Sequence, residues 1–500
     1  MQSLTRVVTL KDLKPLIVDV RVDLGVGDAE LRVHGLSETV SRETRDRVRA
    51  ALRNSGYTWG ERIVHVTCST AHPRSDVDLA VAAAVLLASG TVPTRRLVAT
   101  TLVGELGLDG TVRPVPGVLP RAVAAAKAGF THIVVSAANV AEAAQAPGIT
   151  AVPVGDLTEL VAWLAVGPTA AAHSGSDEDT EPTDELWTTD TWTHLDPLAV
   201  RAAALAAAGG HHTLFLARPG TGASLLPQLI TTLTPDLTEA EALEVTSLHS
   251  LAGAPLPSTG LITRPPRICV HHSCTTAAVV GSATRPGMLS LAHRGVLVIE
   301  DLPEFTHATV DALHPLLEGR DVTIATGGHT VTRPAGARVV FTARDCPGRC
   351  SRACDCTCSP GDRTLYLDRI PRWLLAGTDL FLHRLTLTDP DPSLRPLHAV
   401  RAGVVKARER AFHRWGALPE PGQPIGLGEA VDGVPAEVTQ ELDDATRKGA
   451  IATHTAVRCL HLAWTMADFD GRPLPSIGDI RLILAQRRRA FQLLHIPLEP

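Results

Sequence analysis

Lysine is scarce in this chain. It stands at five of the 500 positions, Lys11, Lys14, Lys127, Lys406 and Lys448, so nearly all of the 47 basic residues are arginine. Genomic bias is the plainest reading of that skew, and adaptation to phosphate binding the second. Net positive charge is also missing. The 47 basic residues face 53 acidic ones, a formal charge of -6, which excludes a surface that coats nucleic acid as a whole and leaves room only for a local basic channel. No apolar run reaches membrane length, since the longest, residues 79–88, is about half of what a spanning helix needs. The opening MQSLTRVVTLKDLKPLIVDV carries charges inside every apolar stretch, unlike a secretory signal. The expectation is a cytoplasmic protein with no membrane partner. In that compartment the 9 cysteines point to free thiols or a metal site, not to a disulfide framework.

What is present is 44% apolar residues, enough for sizeable cores, over a length that suits two to four domains. Residues 1–165 alternate short apolar runs with Ala-rich stretches and predict a compact α/β domain. Within it, LIVDVRVDL and AELRVHGL read as strands paired with each other. Residues 41–55 read as a helix with Val48, Ala51 and Leu52 on one face. DLAVAAAVLLASG reads as a buried helix ended by Gly90. Residues 166–194 break the pattern, with seven acidic residues between Asp177 and Asp190 and no period of either kind, and predict a flexible acidic linker. Residues 195–389 run helix, strand, Gly-rich loop, helix, then two strongly apolar strands, GVLVIED and ARVVFTA, that suit a parallel sheet covered on both faces. Residues 390–500 look mainly helical, with a Pro/Gly-rich insertion.

The Gly-rich loop ARPGTGAS sits between a strand and a helix, the context of a phosphate-cradling P-loop. Pro219, Gly220, Thr221, Gly222, Ala223 and Ser224 are its candidate nucleotide-binding residues. The pattern G-x-x-x-x-G-K-[ST] is incomplete, because Ala217 replaces the first glycine and Ala223 the lysine; alone, the loop could equally be a Gly-rich helix cap. About seventy residues on, an apolar strand ends in Glu300 and Asp301. Two acids there have a stated chemistry: one carboxylate holds magnesium, the other polarises the attacking water. Magnesium would be held by Ser224 and Glu300.

Several blocks resemble the magnesium-chelatase-like AAA+ ATPase family of the ComM/YifB type: ALAAAGGHHTLFLARPGTG, LTEAEALEVTSLHSLAG, LITRPPRICVHHSCTTAAVVG, RPGMLSLAHRGVLVIEDLPEF and HTAVRCLHLAWTMADFDG. The resemblance covers nearly the whole chain. It implies an N-terminal Lon-protease-like α/β domain, a P-loop AAA+ core with a parallel sheet, a C-terminal helical lid, use of ATP and Mg2+, a ring (by resemblance a hexamer) and action on DNA in competence. It also places Asp345 at the sensor position and Arg458 in the sensor-2 region. The family's Asp-Glu end appears here as Glu300-Asp301. Its Leu-Leu-Asp-Arg-Ile-Asp block is LLAGTD, so Ala376 and Gly377 stand where the family has Asp and Arg. Losing one charged hydrogen bond to phosphate costs roughly 1.5–3 kcal/mol, about 10–150-fold in affinity. A missing arginine finger costs about 10³–10⁵ in rate. The expectation is therefore weak ATP binding with slow or lost hydrolysis, with an active DNA-dependent ATPase or branch-migration helicase as the alternative. A chelatase-type motor is disfavoured, since no metal-inserting domain is visible.

The blocks SRETRDRVRAALRNSGY and LVGELGLDGTVRPVPGVLPRAVAAAKAGF carry the Lon-like resemblance. A Lon-type peptidase needs a serine nucleophile and a lysine base. Leu119 takes the lysine position, and Ser75 is the only nearby hydroxyl, so the expectation is not a peptidase but a folded interaction domain. Finally, DCPGRCSRACDCTCSP places five thiols within residues 346–358. Structural zinc takes four, and Cys346, Cys350, Cys356 and Cys358 are the favoured ligands, with Cys354 spare. Unligated surface thiols and an iron–sulfur cluster stay open. His271, His272 and Cys274 form a weaker cluster that reads better as a packed loop.

Overall fold

The computed structural model describes residues 2–11, 14–69, 76–167, 194–217, 224–257, 260–319, 321–326, 329–348, 357–383, 396–419, 423 and 426–494. The chain divides into two compact units, one formed by Met1–Glu181 with Ala242–Ile262, the other by Pro182–Glu241 with Thr263–Pro500. The expected linker lies, apart from its ends, outside the described residues. Among the described residues no helix is long and apolar enough to cross a membrane.

The first unit is built on a mixed sheet of β1 (Gln2–Lys11), β2 (Lys14–Val26), β3 (Glu30–His34), β4 (Arg62–Cys68), β5 (Thr100–Leu102), β8 (His132–Ser136) and β9 (Thr150–Val154), with β6 (Glu105–Leu106) and β7 (Val112–Arg113) as a separate hairpin. The order is β3-β4-β2-β1-β5-β8-β9. One pairing expected from sequence is corrected here. β2 and β3 do not pair; β4 lies between them, with Val66 opposite Val22 on one side and Val33 on the other. The reason is the helix Glu38–Asn54. A helical connection returns the chain in the same direction, so β3 and β4 become parallel neighbours. That helix buries Thr44, Val48, Ala51 and Leu52, the face its period foretold. The apolar helix Asp78–Ala88 is buried along its whole length, as a helix without a polar stripe must be.

Two carboxylates enter this interior with cations. Arg47 Nε donates to the Asp78 carboxylate at 2.6 Å, and burial, opposed by Arg47, still pushes that carboxyl up to about 6. The buried Asp76 accepts from the buried Arg121 guanidinium and from the Thr9 hydroxyl. These two residues flank the Lon-type positions: Ser75 lies outside the described residues, and Leu119 is fully buried.

The second unit has an all-parallel sheet of β10 (Thr213–Ala217), β11 (Arg267–Val270), β14 (Val296–Ile299), β17 (Arg338–Arg344) and β18 (Leu380–His383), in the order β11-β14-β17-β10-β18. Small hairpins β12 (Gly281–Ser282)–β13 (Arg285–Pro286) and β15 (Val322–Thr326)–β16 (His329–Arg333) accompany it. β14, VLVI, is apolar and buried at every position because both faces of the sheet are covered there. Phe215, Val296, Val298 and Val340 belong to one core, with the helices Pro197–Gly209, Leu225–Leu233 and Thr453–Asp470. Leu214, Leu216, Leu297, Ile299, Val339 and Phe341 belong to the other. Alternate residues thus serve opposite layers.

Phe341 is fully buried in the second layer. Phe341→Ala should lower the unfolding free energy by about 3–5 kcal/mol, read by denaturant unfolding; a cost below about 1 kcal/mol would contradict this packing.

Candidate nucleotide site

In an open parallel sheet, ligands bind outside the carboxyl ends of the strands where the strand order reverses. Here the chain leaves β10 for β11 at one edge and later returns to β18 on the other side of β10. The carboxyl ends of β10, β14 and β17 therefore bound the natural crevice. β10 ends at Ala217, and Ser224 follows as the exposed residue before the helix Leu225–Leu233. Pro219, Gly220, Thr221, Gly222 and Ala223 lie outside the described residues. The helix is held in place by Leu226, Leu229, Ile230 and Leu233, all fully buried.

β14 delivers the two acids. Glu300 is exposed, and among the described residues no hydrogen bond or ion pair engages its carboxylate. Asp301 turns into the left-handed region, φ 55° and ψ 53°, uncommon for a residue with a Cβ and of a kind found at functional sites. Its N–H donates to the Thr342 hydroxyl at 3.3 Å. Arg344, the last residue of β17, donates from Nε to Asp301 Oδ1 at 2.9 Å and from Nη2 to Glu304 Oε1 at 3.3 Å. Burial works against the Arg344 charge, but Asp301 and the other acids outweigh it and raise its pKa above the ordinary value. Burial likewise pushes the Tyr366 phenol up. Asp345 follows Arg344 and is half-buried.

Magnesium is bound through oxygen, commonly by one or two carboxylates plus substrate phosphates. The exposed Glu300 carboxylate and the exposed Ser224 hydroxyl fit that donor set. Asp301, engaged by Arg344, is occupied otherwise. The zinc expectation has less to stand on. Cys350 and Cys356 lie outside the described residues. Cys346 is buried, its thiol donating to the Gly348 carbonyl at 3.6 Å, and Cys358 is half-buried. Among the described residues no group of three or more His, Cys, Asp or Glu could hold a metal ion.

Arg458, placed in the sensor-2 region by resemblance, is buried in an ion pair. Its Nε and Nη2 donate to the two oxygens of Asp379 at 2.8 and 2.9 Å, and its Nη1 to the Leu317 carbonyl at 3.1 Å. Asp379 directly precedes Leu380, which pairs with Thr213 at the start of β10. The pair thus sits at the amino ends of the strands, a five-residue strand or roughly 16 Å from their carboxyl ends. His212 joins it: its N–H donates to Asp379 Oδ2 at 3.0 Å, and its Nδ1 accepts from the Val339 N–H at 2.9 Å. His211 contacts Asp379 at 3.4 Å and Thr465 at 2.9 Å. Burial would raise the Asp379 carboxyl, but Arg458, with the two histidines, overrides it and holds it well below the carboxylate range. Sequence reasoning missed Arg344 and the His211–His212–Asp379 cluster. A cation beside the sensor position was the available signal for the first.

Removing Arg458 would strand a buried carboxylate, so Arg458→Ala should cost about 3–5 kcal/mol, against little change at the nucleotide end. The histidines set a pH dependence. Burial lowers His212 to about 3 and His461 well below the ordinary value. Both stay neutral when folded, while the unfolded chain takes up protons below about pH 6.5. Stability is then full above that pH and falls as pH drops toward about 3. The Asp379 contribution is lost only below about pH 3.9, where its unfolded carboxyl protonates. Thermal unfolding at a series of pH values should show Tm declining from pH 6.5 downward; a level Tm between about pH 7 and 5 would contradict the assignment.

Two family models match this chain: "Magnesium chelatase, subunit ChlI" over residues 196–389 and "Subunit ChlI of Mg-chelatase" over residues 20–139. An uncharacterized protein of Mycobacterium tuberculosis (strain H37Rv) is 35% identical over 504 residues, 96% of this chain and 97% of its own length. The Escherichia coli (strain K12) protein YifB is 32% identical over 421 residues, 81% of this chain and 80% of its own. The competence protein ComM of Haemophilus influenzae (strain Rd) is 31% identical over 425 residues, 80% of this chain and 81% of its own. With a Mg-chelatase-type parallel sheet, acids at its carboxyl ends and relatives of this extent, the chain belongs to the magnesium-chelatase-like AAA+ family of the YifB/ComM type.

Proposed function

We propose that this protein binds ATP with magnesium at the carboxyl ends of β10, β14 and β17, hydrolyses it slowly or not at all, and works as a subunit of a homo-oligomeric ring, a hexamer by family resemblance, in DNA processing. The observation that carries the reading is the acid pair, in which Glu300 is exposed for a metal while Asp301 is engaged by Arg344. Ser224 and Glu300 would hold the magnesium, which would supply charge neutralisation at the phosphates. Backbone N–H groups at a helix start favour phosphate, which supports binding without the lysine replaced by Ala223. Slow turnover follows from the absent cations at 223 and 377 and from an Asp301 already paired.

Calorimetry with Mg-ATP should show weak binding that saturates at about millimolar nucleotide, and Glu300→Gln should remove its magnesium dependence. No heat and no competition at that concentration would remove the nucleotide role. Phosphate release should stay far below that of ordinary AAA+ motors, with and without single-stranded or branched DNA. Strong stimulation by either DNA, abolished in Asp301→Ala, would instead establish the active DNA-dependent ATPase that the competence relative suggests.

The zinc proposal rests on the Cys346, Cys350, Cys356 and Cys358 spacing alone. Metal analysis of protein purified without a metal-affinity tag should give about one zinc per chain; a metal-free protein with five titratable thiols in residues 346–358 would remove it.

A further inference from the structure

Arg344 is placed beside the entry to the Gly-rich loop, in which Ala223 stands at the position of the usual lysine. Its register partner is Ala217, the last residue of β10 before the Gly-rich loop, so its backbone lies one strand spacing, about 4.8 Å, from the entry to that loop. On its other side, β14 pairs with β17 through Ile299 and Phe341, and the chain beyond Ile299 carries Glu300 and Asp301. Arg344 thus stands at the end of the central strand of the three, between the strand that ends at Ala217 and the strand that leads into the acid pair.

Its present partners do not make it a core residue. The Arg344 side chain keeps 18% of its exposure and Asp301 39%, so the pair reaches solvent at its Asp301 end and is not sealed in the core. The guanidinium is a fork of donors that matches phosphate oxygens as well as carboxylates. Asp301 meets it from a left-handed backbone, a conformation that needs support from its surroundings.

Resting on the nucleotide-binding reading above, we propose that Arg344 is the phosphate-contacting cation of this site, taking over the charge that Ala223 cannot supply. In this structure it bridges Asp301 and Glu304. With nucleotide it turns to the terminal phosphate, whose oxygens carry more negative charge than either carboxylate, and Asp301 is released toward the crevice. Occupancy of the phosphate subsite and freedom of the acid are then alternatives of one side chain.

The test is nucleotide affinity, not turnover. Mg-ATP and Mg-ADP are titrated into the full-length protein, wild type and Arg344→Ala, by calorimetry, with Tm recorded for each. Arg344→Gln, which keeps length and hydrogen bonding but removes charge, serves if the alanine variant fails to fold, and Arg344→Lys keeps the charge. Loss of the cation should weaken ATP binding about 10-fold or more and erase the preference for ATP over ADP, with Tm little changed, while Arg344→Lys retains most of the affinity. Unchanged ATP affinity in Arg344→Ala or Arg344→Gln, beside a wild type that binds, overturns the inference and leaves the nucleotide reading standing. A wild type that binds neither nucleotide overturns both.

Discussion

The buried ion pair between Asp379 and Arg458 is the constraint on which the second unit's sheet depends. It ties the helix Thr453–Asp470 to the residue before β18 and, through His211 and His212, to the entry of β10 and the Val339 N–H of β17. A carboxylate in that interior is tolerable only if its cation and its hydrogen bonds arrive together. Three neighbouring strands are thereby fixed in stagger at their amino ends. Arg487 does related work nearby, donating to the carbonyls of Thr378, Leu375 and Ala376, the open end of the short helix Arg372–Gly377. With the amino ends pinned, the carboxyl ends are free to carry loops, acids and a mobile charge without loosening the sheet.

The two ends therefore have different electrostatics. At the amino ends the Asp379–Arg458 pair is buried and matched, with Asp379 held well below the carboxylate range and His212 kept neutral. At the carboxyl ends Glu300 is exposed, and Asp301, Glu304 and Arg344 are partly buried and reach solvent.

Much of this was legible in the sequence. The apolar runs gave the buried strands, and the two acids after GVLVI marked the carboxyl end of β14, because a both-faces-covered strand must end where charge begins. Period alone could not give strand partners. LIVDVRVDL and AELRVHGL look like a hairpin locally, and only the helix after β3 makes β4 the neighbour of both. The partner of Arg458 was hidden for a similar reason: its spacing in the last helical stretch matches a family position, but the Asp379 it pairs with is distant in sequence. Arg344 went unnoticed because a cation at a strand end is ordinary until the register sets it beside Ala217.

The first unit draws residues Ala242–Ile262 from within the stretch that otherwise builds the second. There the Ser250 carbonyl accepts from the Gly117 N–H at 3.0 Å, and the Ser250 hydroxyl donates to Glu142. At the base of this excursion the Leu237 N–H donates to the Thr263 carbonyl at 2.7 Å, so the chain leaves and returns at nearly the same point. The second unit thus hosts an insertion whose ends are already closed. No single cut of the polypeptide separates the two units intact. A fragment ending at residue 165 would leave the Gly117 amide and the Glu142 carboxylate without Ser250, and gene fusions or swaps between relatives must carry 242–262 along with the N-terminal sequence.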